Sequence, residues 1–464
     1  MKKSLLFILI PVALVVSSCA SFVEDLDISP NSPVEVSPSL LLTTSEVATQ
    51  VAYSGQLARF STILNQQMAG TDFQLLDVAD YTILEGNNVN EWELIYTDIL
   101  VNCDILLDTY GPGNPYYSGM AKVTKALGLG LATDLWGDVP NREAGNGQDG
   151  RSAFNPVFDD QEVVISDIQE LLTSAIADFG QDAAANAIIP GSDDIWFEGD
   201  VAKWTKVAWV LKARYAMRLS ARDNNAASTA LGFINNAGLT GTDDDMNGLY
   251  GTNGNEQNQW FAFQNARANY IKMGKPFVDL LESINDPRLA FYAGSDTSGG
   301  FSGASINTAD DGRLVASDIG PYFGSVTSPS PLVTFVEGKF IEAEAKFRTG
   351  DLAGAAEAHN MAIIAHVEQV TAAAPPAAYV TSQASEDAST IDLGKILTHK
   401  YVALFTQVEA YNDWRRTGVP ALTPNPNGSV NSIPVRLPTV LDERLYNTNA
   451  EVISDITTPV WWDN

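Results

Sequence analysis

The side chains able to do chemistry are unevenly supplied: three histidines and two cysteines stand against fifty-seven acids. Metal binding at His359, His366 or His399 would need partners at ligand spacing, and the chain has no HExxH and no paired cysteines. His359 and His366 are two helical turns apart, roughly 10 Å along an axis, too far to share one ion as neighbours. All three read as core or rim residues. Glycoside hydrolysis needs two carboxylates at a set separation, but so many acids supply such pairs by chance. Neither a GxSxG elbow nor a phosphate-cradling loop is present. No catalytic residue and no cofactor is therefore assigned. One cation signal stands apart: "DDDMNGLYGTNG" places Asp243, Asp245, Asn247 and Gly248 at calcium-loop positions, but Gly254 falls where the closing glutamate belongs. The alternative is an acidic turn.

Stacking chemistry is better represented. Flat apolar sugar faces lie on aromatic rings, while amides and acids bond the hydroxyls. "NQWFAFQNARANY" carries Trp260, Phe261, Phe263 and Tyr270 beside Gln264, and "TDFQLLDVADY" carries Asp72, Phe73 and Tyr81. Tyr322 follows a glycine-rich loop. Asp72, Tyr81, Trp260, Phe261, Gln264 and Tyr322 are the candidate ligand-binding residues. The competing account of each ring is an anchor that pins a loop to a helix.

The first cysteine has a different use. Lys2 and Lys3 precede twelve apolar or proline positions, Leu5 to Val16, too few to span a bilayer, which needs about 20. Val16-Ser17-Ser18-Cys19 then reads as a lipobox, so residues 1–18 are expected to be a lipoprotein signal and Cys19 the lipid anchor. More than one acyl chain there would satisfy the condition for stable anchoring. Residues 19–38, rich in acid, serine and proline, read as a tether. The net charge of −30 grows more negative once the two lysines leave, a field that repels nucleic acid.

Helices must position the rings. "VNEWELIYTDILVNCDILLDTYG" repeats apolar residues at Trp92, Ile95, Ile99, Cys103 and Leu106, which places Cys103 in a core. Three more periodic stretches follow, around residues 116–136, 161–179 and 201–220. "PLVTFVEGKFIEAEAKFRTGDLAGAAEAHNMAIIAHVEQV" is a helix pair broken at Gly350, with Ala343, Ala355 and Ala362 where a tetratricopeptide repeat wants small residues. No regular period recurs. Long polar, glycine-rich stretches separate the helices, and loops of that length are uncommon unless functional. The fold class expected is mainly α, with tetratricopeptide-like helix pairs in one compact body (39–464) and long loop excursions. Arg415 and Arg416 in "YNDWRRTGVP", and Asp286-Pro287-Arg288, read as structural ion pairs.

Several of these segments, in order, resemble the SusD/RagB family of nutrient-binding outer-membrane lipoproteins. They are "CASFVEDLDISPNSPVEVSPSLLL", "YYSGMAKVTKALGLGLATDLWGDVPNREA", "KPFVDLLESINDPRLAFYA", "KFIEAEAKFRTGD", "KYVALFTQVEAYNDWRRTGVPAL" and "IPVRLPTVLDERLYNTN". The tail departs from the family's pattern, reading Arg436-Leu437-Pro438. The resemblance implies a cell-surface lipoprotein of the outer membrane, held in lipid through acylated Cys19. It would bind an oligo- or polysaccharide without catalysis and act as the lid of a SusC-like TonB-dependent transporter. Peptide capture, as in the RagB branch, is the alternative ligand. A helical glycoside hydrolase and a repeat scaffold for envelope proteins are the rival classes.

Overall fold

A computed structural model describes residues 36–147, 150, 153–307 and 314–463. The signal segment, Cys19 and nearly all of the tether lie outside the described residues. The chain is mainly helical. No helix among the described residues is long and apolar enough to cross a membrane.

The long helices pack on their sequence neighbours. The helical run 89–110 lies on Pro115–Trp136, which packs on Gln161–Phe179, then Val201–Arg218, then Ala226–Ala237. Phe335–Thr349 continues the row and pairs with Leu352–Thr371 and Leu393–Ala403. Residues 238–334 leave this array as an excursion of short helices and paired strands. Apolar period explains the row: Trp92, Ile95, Ile99, Cys103 and Leu106 are all buried, although the 89–110 run contains two π-helical stretches. Burial pushes the Cys103 thiol up to about 12, as an inert core residue requires.

Close approach needs small residues at the crossings. A Cβ at Gly119 would overlap the Phe179 ring, and one at Gly130 the Tyr215 hydroxyl. Ala343, Ala355 and Ala362 are fully buried between the paired helices. Gly350 ends the first of that pair at φ +90°, and Asp351 caps the second by accepting from Gly354 N at 3.0 Å.

Buried ions then lock the C-terminal helix Val408–Thr417 into the array. Arg416 forks onto Glu344 at 2.6 and 2.7 Å and donates to Asp413 at 2.7 Å. Arg415 donates to the carbonyls of Val435 and Asp134, both at 2.7 Å. Arg288 pairs with Asp286 through Nε at 2.8 Å, with both side chains fully buried. All three arginines therefore satisfy acids or carbonyls inside the protein, as the sequence suggested.

Candidate ligand-binding site

Two of the singled-out stretches meet through the shortest of elements. Met68–Gly70 pairs antiparallel with Ile271–Met273, with Met68 opposite Met273 and Gly70 opposite Ile271. Just beyond the strand, Thr71 N and Asp72 N donate to Tyr270 O at 2.9 and 3.4 Å, and Thr71 Oγ1 donates to Asn269 O at 2.7 Å. This clamp brings Phe73 onto Tyr270, centroids 4.8 Å apart and planes 20° from parallel. Phe73 remains 62% exposed. Tyr270 in turn meets the edge of Phe263 at 6.2 Å. The result is a shelf: an open ring backed by a second ring and a buried third.

The backbone holds this shelf under strain. Phe73 sits at φ +44° and Asn269 at +65°, in the left-handed region that costs a non-glycine residue about 1–3 kcal/mol. Asp72 caps the following helix, its carboxylate accepting from Phe73 N at 3.0 Å.

A guanidinium lies behind the rings. Arg59 is 92% buried, with its Cζ 4.3 Å from the Phe263 centroid, and Arg267 approaches the same ring at 5.4 Å. Arg59 Nε and Nη1 have no hydrogen-bond partner among the described residues, nor has Gln264 Nε2. Burial pulls the Arg59 pKa down to about 10, against the upward pull of Glu91. Glu91 accepts from Gln56 Nε2 at 2.9 Å, and its own pKa is raised by burial. In so acidic a chain, two arginines against one ring make the floor of the shelf locally positive. Such an arrangement can stack a flat apolar ring on Phe73, with the buried Arg59 guanidinium supporting the ring cluster from beneath.

The other candidates are placed differently. Trp260 is 1% exposed and sealed in the core, so it offers no face to a ligand. Tyr81 is buried too: its hydroxyl accepts from Asn425 N at 2.8 Å, and its ring leaves no room for a Cβ at Gly428. Both are anchors that pin loops to the body. Phe261 and Gln264 are half-buried on the helix Gln259–Ala266, beside the shelf residue Phe263. Tyr322 is half-buried against Phe323 at 4.8 Å, and burial pushes its hydroxyl up to about 12.

The calcium-loop spacing falls on other architecture. Thr242–Asp244 is one short 3-10 turn, and Asn247 lies in a strand, Met246–Gly248. Asp245 is buried and accepts from Phe335 N at 2.6 Å and from Gln369 Nε2 at 2.7 Å, so both of its oxygens serve the fold. Among the described residues no group of three or more His, Cys, Asp or Glu gathers to hold a metal. His359 and His399 pack ring to ring at 5.3 Å, and burial lowers their pKa values to about 4 and about 3. His366, lowered by burial and then by Arg288, lies 2.9 Å from Arg288 Nη1.

The helical array has known counterparts. The family model described as "Starch-binding associating with outer membrane" matches residues 30–438. The chain belongs to this SusD-like family. Among solved structures, a SusD/RagB family protein from Bacteroides thetaiotaomicron is 23% identical with a TM-score of 0.74, over 92% of this chain and 99% of that one. A chitin-binding SusD homolog from Flavobacterium johnsoniae is 21% identical with a TM-score of 0.79, over 92% and 98%. A further protein named for chitin binding is 23% identical with a TM-score of 0.78, over 92% and 100%. At these identities the likeness establishes the fold. No curated protein matches the chain.

In this SusD-like chain, the site residue that sequence reasoning missed is Arg59. The signal for it was present: Arg59 is the lone charged residue between Glu46 and Asp72. A single charge in a helix that otherwise buries its length calls for a partner or a ligand.

Proposed function

We propose that this SusD-like protein is a cell-surface lipoprotein, anchored through acylated Cys19, that captures an oligo- or polysaccharide on the Phe73–Tyr270 shelf. It then passes that cargo to a SusC-like TonB-dependent transporter, over which it acts as a lid. The observation that carries the reading is an aromatic ring 62% exposed yet held in place by a second ring, which a third meets edge-on. A family described as starch-binding and associated with the outer membrane supports it, as do relatives named for chitin binding.

Two experiments separate the parts. Calorimetry with starch and chitin oligosaccharides tests capture: turnover of the sugar, or no binding at all, contradicts it. Purification from native outer membrane in mild detergent tests the lid role. Recovery of the protein without a barrel partner contradicts that role and leaves capture standing.

A further inference from the structure

Two segments singled out in the sequence, the "TDLWGDVP" turn and Arg436-Leu437-Pro438, take no part in the shelf. They converge at a cavity of about 280 Å³ beneath the C-terminal tail. Trp92 and Trp136, both buried, form its floor, with centroids 5.2 Å apart and planes at 73°. Phe158, stacked at 6.4 Å from Trp92, and Trp461, half-exposed, form its walls. The tail is tied over it: Leu437 N donates to Leu135 O and Val435 N to Ile456 O, both at 2.8 Å.

Polar groups also line this aromatic box. Arg436 is 95% buried, donates through Nη2 to Trp136 O, and forms no ion pair within 4 Å among the described residues. Gly137, at φ +87°, lies against that guanidinium, where a side chain would crowd it. Asp138 accepts from Gln161 N at 2.7 Å through one oxygen, and Glu451 stands at the mouth, close enough to Asp138 to feel its charge. The indole Nε1 of Trp136 has no hydrogen-bond partner among the described residues. Packing alone does not account for a tryptophan-floored void lined by a guanidinium without an ion pair and by two neighbouring acids.

We infer that this cavity is a second binding site, separate from the shelf, for a single sugar-sized polyol ring. Aromatic walls match the apolar faces of such a ring, and an arginine and a carboxylate pair in the same lining match its hydroxyls, which both donate and accept. Its volume lies at the lower edge of the roughly 300–1,000 Å³ of small-molecule pockets, room for one ring and not for a chain.

The test uses the full chain with D-glucose and N-acetylglucosamine as probes, followed by calorimetry and tryptophan fluorescence. One saturable site is expected, weakened about tenfold or more by Glu451→Gln and by Trp461→Ala. The shelf variant Phe73→Gly should leave it unchanged. Glu451 is exposed, so its substitution keeps the fold even where Trp461→Ala does not. Failure of both sugars to bind overturns the inference. So does monosaccharide binding that Phe73→Gly abolishes, or that survives both cavity variants. Saturation of the cavity by a free amino acid, with the sugars excluded, overturns it as well. The shelf is judged with oligosaccharides, so neither result decides that reading.

Discussion

Phe73 lies stacked on Tyr270, ring centroids 4.8 Å apart, because three-residue strands carry the two ends of the clamp side by side. Aromatic pairs in this geometry contribute about 0.5–1.5 kcal/mol beyond area burial, enough to hold an exposed ring ready. A ring fixed before ligand arrives loses little rotamer freedom on binding.

The first prediction concerns that ring. Phe73→Gly removes the stacking surface and also relieves a positive φ. The melting temperature is expected to stay level or rise, while oligosaccharide affinity falls by about twofold to tenfold. Loss of stability with unchanged affinity, seen by calorimetry and thermal melting together, would assign Phe73 to the fold.

Arg59 gives a complementary case. Arg59→Met keeps the stem that packs on Phe263 but deletes a buried charge with two unmet donors. Replacing such a charge by an apolar side chain is often neutral or stabilising. Urea unfolding should show stability unchanged or higher, and glycan affinity should change little, because the guanidinium lies buried beneath Phe263. A variant markedly less stable than the parent would mean that Glu91 pairs with Arg59 more strongly than this account holds.

Asp245 sets a pH limb. Burial pushes its carboxyl up to about 7, and the charges of Asp244 and Asp243 add to this, against the bonds from Phe335 and Gln369. Between the unfolded value of 3.8 and about 7, the folded state binds more protons than the unfolded one. Stability contributed by this group therefore falls as pH rises through that window and is level above it. Melting temperatures of the parent minus those of Asp245→Asn, followed across the window, should decline with pH. A flat difference would refute the assignment.

The proposed function assigns the anchor to Cys19. Cys19→Ser should leave the membrane pellet for the soluble fraction, and mass spectrometry of the parent should find acyl chains on the first mature residue. Free thiol on a protein still bound to membrane would require another anchor.

Much of this fold was legible because helices write their buried face into the sequence. The stripe from Trp92 to Leu106, the break at Gly350 and the small residues facing it all lie where periodicity and turn chemistry put them. The shelf was legible only in part. Composition marks Trp260 and Phe73 equally as loop aromatics, yet one is sealed and the other open, because burial there depends on contacts with distant segments. Strands as short as Met68–Gly70 and Ile271–Met273 are too brief to show alternation, so nothing in the sequence announced that Asp72 and Tyr270 would be neighbours. Spacing alone likewise does not reveal that both oxygens of Asp245 are engaged by Phe335 N and Gln369 Nε2.

The most direct measurement is a crystal structure of the protein soaked with a chitin or starch oligosaccharide. Capture on the shelf predicts a sugar ring lying flat on the exposed face of Phe73. An oligosaccharide bound elsewhere while the Phe73 face stays bare would contradict the account.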